Sequence, residues 1–287
     1  MAGAVQIDAL QVPVSGGDLA VFRLGGGPPV VAVHGITSSS RAWLAVARAL
    51  AGRASLLAVD LRGRGHSNAL PGPYGLRAHV ADLVAVLDAL GLERAVLAGH
   101  SLGAYVVARF AVEHAERTQS VVLVDGGLAI PGTEGVEPQQ FADAFLGPAL
   151  ARLQMRFSSA EEYQRWWRRH PALGDLSVED DDLLAYATHD LDDGRPAVRE
   201  EAVRADVLGL VDTAYAHQLA VPATMLVAPR GLLDDPHPMQ PLDAAQAWVA
   251  EDPARRSAQL VEGVNHYTLT LGSAGAAAVA DAIATVA

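Results

Sequence analysis

Hydrophobic and polar positions follow two different rhythms along this chain. Short apolar runs fall within residues 29–33, 55–59, 94–98 and 120–124, as suits strands buried on both faces of a sheet. Between the last three lie stretches with helical spacing. Within residues 77–90 the apolar positions are Val80, Leu83, Val84, Val86, Leu87 and Leu90, and Gly91 supplies a natural stop. Residues 42–50 read as another helix. Two strands open the chain at residues 5–12 and 19–24, joined by a turn at Ser15, Gly16, Gly17 and Asp18. Alternating strand and helix predicts a mostly parallel sheet with helices on both faces.

The rhythm breaks after residue 127. Residues 128–218 show helical stretches, a Trp166-Trp167 pair and acidic runs at residues 179–182 and 190–193, but no clear buried strand. The first rhythm then resumes, with strands at residues 223–228 and 257–261, a helix at 242–250 and an alanine-rich helix from residue 274. The expected division is a core of residues 1–127 and 219–287 with a helical insertion at 128–218. Such an insertion between two sheet strands would lie over the carboxyl ends of the strands, as a cap.

Composition narrows the partners. The net charge is -12 over 287 residues, which argues against nucleic acid and anionic membrane surfaces. The insertion holds 17 acidic and 8 basic residues, so it carries most of that charge. No apolar run reaches the ~18 residues that span a bilayer. The N-terminus lacks a basic region followed by an apolar core, so the expected location is the cytoplasm. Cysteine is absent, which excludes disulfides and a thiol nucleophile. There is no His-Glu-x-x-His pattern and no tight His/Asp cluster, so no metal and no cofactor is expected. The expected partner is a small-molecule substrate. A cap that serves as a partner surface and pairs two copies into a homodimer is a further reading.

Chemistry concentrates at Gly99-His100-Ser101-Leu102-Gly103. This Gly-x-Ser-x-Gly stretch follows an apolar run and precedes a helical one, the strand–turn–helix setting of a nucleophile elbow. The serine then stands at a helix N-terminus, where backbone N–H groups can stabilise an oxyanion. A serine hydroxyl is a weak nucleophile and needs a base. Among ten histidines, His266 is the candidate, because its loop follows the last strand on the same sheet edge. His34 and His100 border that edge too, but each is placed to shape a turn. His66, His79, His114, His170, His189, His217 and His237 have no such setting. The base needs a carboxylate to fix its tautomer. The loop after the strand at 223–228 offers Asp234 first and Asp235 second, and Asp125 at the end of the strand at 120–124 is a third option. Oxyanion donors would be the N–H groups of Ile36, after His34-Gly35, and Leu102. His34, Gly35, Trp43, His100, Phe145, Trp166, Trp167 and Tyr267 are candidate pocket residues.

Taken together, the His34-Gly35 loop with Trp43 downstream, the segment from Asp60 to Ser67, the Gly99 to Gly103 elbow, the Val124-Asp125-Gly126-Gly127 strand end and the Asn265-His266 loop resemble α/β-hydrolase-fold serine hydrolases of the bacterial esterase and lipase-like kind. The resemblance implies an α/β fold with an eight-stranded sheet and a variable cap after the sixth strand. It implies Ser101 as nucleophile, His266 as base and the aspartate after the seventh strand as orienting acid. It makes the segment from Asp60 to Ser67 structural. Epoxide hydrolases and haloalkane dehalogenases use an aspartate where this chain has Ser101, and are set aside. The activity implied is cleavage of a carboxylic ester of a small, largely apolar substrate through an acyl-enzyme. Lactonase, thioesterase and C–C bond hydrolase chemistry would use the same residues. A reading from another class is a non-catalytic small-ligand-binding protein on the same fold.

Overall fold

The computed structural model describes residues 5–133, 135–174, 177–211 and 214–287. A hairpin of β1 (Ile7–Val14) and β2 (Gly17–Leu24) opens the chain, followed by β3 (Pro29–Val33), α1 (Leu44–Leu50) and β4 (Ser55–Val59). Then come α2 (Leu76–Ala89), β5 (Ala95–His100), α3 (Leu102–Glu113) and β6 (Thr118–Val124). The next helices are α4 (Pro138–Leu153), α5 (Ala160–Arg168) and α6 (Asp180–His189). A two-residue hairpin of β7 (Leu191–Asp192) and β8 (Arg195–Pro196) leads into α7 (Glu200–Val207) and α8 (Ala214–His217). The chain finishes with β9 (Ala223–Val227), α9 (Leu242–Glu251), β10 (Arg256–Leu260), α10 (Thr268–Leu271) and α11 (Ser273–Val286).

Eight strands form one sheet in the order β1-β2-β4-β3-β5-β6-β9-β10. β2 is antiparallel to both β1 and β4, while every later pairing is parallel. The central strands β4 and β5 are buried at every position, whereas edge strand β1 is largely exposed. That contrast explains why the central strands read as unbroken apolar runs. Alternate residues feed two cores. Val31, Val33, Leu57, Val59 and Leu97 pack with α2 and α3 on one face, and Val30, Ala32, Leu56, Ala58, Val96 and Ala98 pack with α1 and α11 on the other.

Because β3, β5, β6, β9 and β10 are mutually parallel, the loops that follow them emerge on one edge. The chain between β6 and β9 forms helices α4 to α8, with an aromatic core of Phe157, Tyr163, Trp167 and Tyr186 that also takes in Ala42 and Leu271. Polar links attach this segment to the rest. Arg48 on α1 grips Asp182 on α6 with two 2.6 Å bonds. His189 at the end of α6 reaches Asp60 after β4 at 2.6 Å, and Asp206 on α7 pairs with Arg64 at 2.5 Å. Among the described residues, no helix is long and apolar enough to cross a membrane.

Candidate active site

At the β5–α3 junction backbone crowds against backbone. A Cβ on Gly99 would stand 2.2 Å from the Gly103 carbonyl oxygen, and one on Gly103 would stand 2.0 Å from that of Val33. Neither neighbour is a side chain that could swing away, so both positions require glycine. Between them Ser101 adopts φ 54°, ψ -122°, a left-handed conformation disfavoured for an L-residue. It is held there by its own N–H, which donates to the Val124 carbonyl at 2.9 Å, and by its carbonyl, which accepts from the Ala104 N–H at 2.9 Å. Ser101 is 9% exposed and lines a cavity.

His266 reaches that cavity on the loop between β10 and α10. Asn265 sets the loop, its side-chain oxygen accepting from the N–H groups of Tyr267 at 3.0 Å and Thr268 at 2.9 Å. The His266 Nδ1–H donates to Asp125 Oδ2 at 2.7 Å. A carboxylate only accepts, so this bond fixes the tautomer and leaves Nε2 with its lone pair. Asp125 sits directly after β6 at φ 47° and is buried. Its other oxygen accepts from the Ala228 N–H at 3.3 Å.

This pairing corrects the expectation for Asp234. Both Asp234 oxygens face Arg230, at 2.7 and 3.0 Å, and Asn265 Nδ2 adds a third bond at 3.1 Å. The Arg230 guanidinium, chiefly, holds the Asp234 carboxyl below the usual range. Asp235 does line the cavity, but its carboxylate is turned onto its own loop, accepting from the N–H groups of Leu233 and His237. The third option, Asp125, is thus the one against His266. The signal for it is local: it ends the strand beside β5, and Gly126 and Gly127 follow. A Cβ on Gly126 would lie 2.5 Å from the Ser101 carbonyl, so the Asp125 turn packs directly under the elbow.

The loop after β3 runs alongside. A Cβ on Gly35 would meet Ser101 Cβ at 3.2 Å. Neither the Ile36 N–H nor the Leu102 N–H donates to another group among the described residues. The Gly35 carbonyl, which belongs to the same peptide unit as the Ile36 N–H, accepts from His34 Nδ1–H at 2.7 Å and from the Ser38 N–H at 3.2 Å. His34 Nε2 in turn accepts from the Leu61 N–H at 3.1 Å. Burial pushes the His34 imidazole down to about 4, and the Asp60 charge only partly offsets it. A neutral His34 therefore orients the Ile36 peptide from behind, and it does not line the cavity. Trp43 is also absent from the cavity wall. It is fully buried in the core shared with α1 and α11, because the 3-10 turn Ser40–Trp43 directs it inward.

The cavity measures about 450 Å³. Of the candidate pocket residues, Gly35, His100, Trp166, Trp167 and Tyr267 line it, together with Ile36, Ser101 and His266. Phe145 has a side chain outside the described residues. The sequence reading missed Arg152, His170 and Tyr186, which reach the wall from α4, the end of α5 and α6. Only an apolar helical face in the sequence hints at them. His100 donates from Nε2 to the His266 carbonyl at 2.9 Å. Burial, then the neighbouring His266, hold it well below the ordinary histidine range, so it stays neutral. Desolvation, first, also lowers His170 and raises the Tyr267 phenol. Burial opposes charge on Arg152, but Tyr163 and Asp190 outweigh it and keep the guanidinium protonated.

An oriented imidazole with a free lone pair at Nε2 is suited to accept a proton from a hydroxyl, and it shares a mostly apolar enclosure with two N–H donors that have no partner among the described residues. A model of the alpha/beta hydrolase fold matches residues 28–183. The chain belongs to the α/β-hydrolase fold family. The chain is 41% identical over 113 residues to N-formylmaleamate deformylase of Pseudomonas putida, covering 39% of the chain and 42% of that enzyme. It is 33% identical over 142 residues to lipase LipV of Mycobacterium tuberculosis, covering 48% of the chain and 54% of the lipase. The matches thus span about half or less of these relatives. The crystal structure of E-2-(acetamidomethylene)succinate hydrolase superposes with a TM-score of 0.80 at 23% identity, over 98% of this chain and 99% of that one. At that identity the likeness concerns the fold.

Proposed function

We propose that this α/β hydrolase cleaves a carboxylic ester of a small, largely apolar substrate through an acyl-enzyme. The observation that carries the reading is the Asp125–His266 hydrogen bond, which leaves Nε2 with its lone pair on a side chain that lines the same cavity as Ser101. In this reading His266 Nε2 takes the Ser101 proton as the serine oxygen attacks the carbonyl carbon. Asp125 stabilises the imidazolium that forms. The Ile36 and Leu102 N–H groups receive the oxyanion, and His266 returns the proton to the leaving oxygen. Water, activated by the same imidazole, then releases the acid. Helices α4 to α8 act as a cap that narrows the site to about 450 Å³, which suits a small ligand.

A second reading is hydrolysis of a carbon–nitrogen bond. It draws on the name of the deformylase relative, whose matched residues are 41% identical. The catalytic groups are the same, and the leaving atom is nitrogen.

The test is intact-mass analysis after treatment with a fluorophosphonate probe, on wild type, Ser101→Ala and His266→Ala. One adduct on wild type and none on either folded variant is the expected result. A folded wild type that takes no label overturns the reading and favours a binding protein on the same fold. Turnover of matched 4-nitrophenyl esters and 4-nitroanilides then separates ester from amide cleavage.

A further inference from the structure

Of the two proposed oxyanion donors, Leu102 is fixed by the elbow and by α3. Ile36 stands in an irregular loop with no strand or helix to hold it. What holds it instead is a row of side chains on successive carbonyls. His34 takes the Gly35 carbonyl. Arg64 Nε–H donates to the Ile36 carbonyl at 3.0 Å, and an Arg152 Nη2–H donates to the Thr37 carbonyl at 2.9 Å. Both arginines are buried, Arg64 completely. Hydrogen bonds from charged donors are about twice as strong as neutral ones, and buried guanidinium groups persist only when paired.

Both pairs lead to the segment between β6 and β9. Arg64 is bound to Asp206 on α7, which also receives His79 Nε2 at 3.0 Å and the Gly75 N–H at 2.7 Å. Arg152 lies on α4 itself and pairs with Asp190, after α6, at 2.9 Å. Tyr163 on α5 donates to the same Asp190 oxygen at 2.7 Å. The Ile36 loop is therefore held between two ion pairs whose carboxylates both belong to the inserted segment.

We propose that Arg64 and Arg152 are positioning residues through which the inserted helices set the Ile36 N–H against the developing oxyanion. The inference rests on the acyl-enzyme reading above. Arg64 does not line the cavity, so any effect of changing it on the reacting carbonyl passes through the loop. Arg152 does line it, and its effect has to be separated from substrate contact. The energetic argument is that an oxyanion donor displaced by about 1 Å loses on the order of 100-fold in rate, while substrate affinity barely changes.

The experiment compares 4-nitrophenyl acetate with its thionoester, in which sulfur replaces the carbonyl oxygen. Sulfur accepts hydrogen bonds weakly, so a well-set pair of N–H donors favours the oxygen ester. The readout is the ratio of the two kcat/KM values. It cancels the fraction of folded enzyme. Arg64→Lys and Arg152→Gln are each expected to lower this ratio about 10-fold, with KM for the oxygen ester within about threefold of wild type. Arg152→Lys should recover part of the loss. Asp206→Asn, which keeps the side-chain shape, serves as the further arm if an arginine variant does not fold, with the ratio lowered in the same sense. An unchanged ratio in the folded variants, with both substrates slowed equally or KM alone raised, overturns the proposal. Thionoester and ester turnover that survive Ser101→Ala would instead overturn the acyl-enzyme reading.

Discussion

The molecule contains two constellations of serine, histidine and aspartate, and they differ in what the imidazole has left to offer. In one, His266 gives Nδ1 to Asp125, Nε2 has no hydrogen-bond partner among the described residues, and the ring lines the cavity that Ser101 also lines. In the other, His189 turns the same nitrogen, Nε2, to both Asp60 at 2.6 Å and Ser40 Oγ at 3.4 Å. Asp60 spends its oxygens on the N–H groups of Ser40 at 2.7 Å and His66 at 2.8 Å. Burial pushes its carboxyl up, but His189 and these donors outweigh it and hold it below the ordinary carboxylate range. His189 is stacked on His66 at 4.0 Å and edge-on to Phe22. The second set is closed on itself and joins α6 to the loop after β4. The same residue types thus occur in two settings, and only the His266 set borders the cavity.

Three changes probe that contrast. The largest effect is expected from Asp125→Asn, which should lower kcat by about 10⁴-fold by losing the tautomer and the stabilised imidazolium. Asp234→Asn should stay within a few-fold of wild type, and equal losses in steady-state assays of the two variants would erase the distinction. Next, Asp60→Asn should lower stability by about 3–5 kcal/mol, since it breaks a buried pair. The molecules that remain folded should still take up the fluorophosphonate probe; loss of labelling at full stability would make the Asp60 cluster part of the chemistry. The smallest effect concerns pH. His34 is neutral when folded, with its pKa lowered from 6.5 to about 4. The unfolded chain therefore binds the extra proton first, and stability falls as pH drops from about 6.5 to about 4. The loss from this group is on the order of 3 kcal/mol, measurable as a shift in urea midpoint between pH 7 and pH 4.5. A flat profile over that window would mean that His34 takes up its proton as readily in the fold as in the unfolded chain.

Local signals were legible where the backbone itself constrains the residue type. The strands at residues 29–33 and 55–59 are read to their observed ends, because full burial demands unbroken apolar runs. The elbow announced itself through Gly99 and Gly103, although β5 continues two residues past the expected 98 because the turn begins only at Ser101. Ser101 and His266 follow from strand ends on one sheet edge. Asp234 misled because a carboxylate in the expected loop says nothing of its neighbours, and Arg230, four residues away, claims it. Trp43 misled because a large aromatic beside a functional loop can face inward or outward. The links from Arg64 to Asp206 and from Arg152 to Thr37 cross 142 and 115 positions of chain. No local pattern encodes them, since they arise only when amphipathic helices settle on the sheet.

The left-handed backbone of Ser101 has a consequence for how such a molecule can change. The residue that the proposed chemistry depends on occupies a conformation that glycine would adopt more easily. Local backbone preference and reactivity are therefore opposed at this one residue. Drift toward greater robustness pulls against the nucleophile, and only selection for turnover would keep a side chain there.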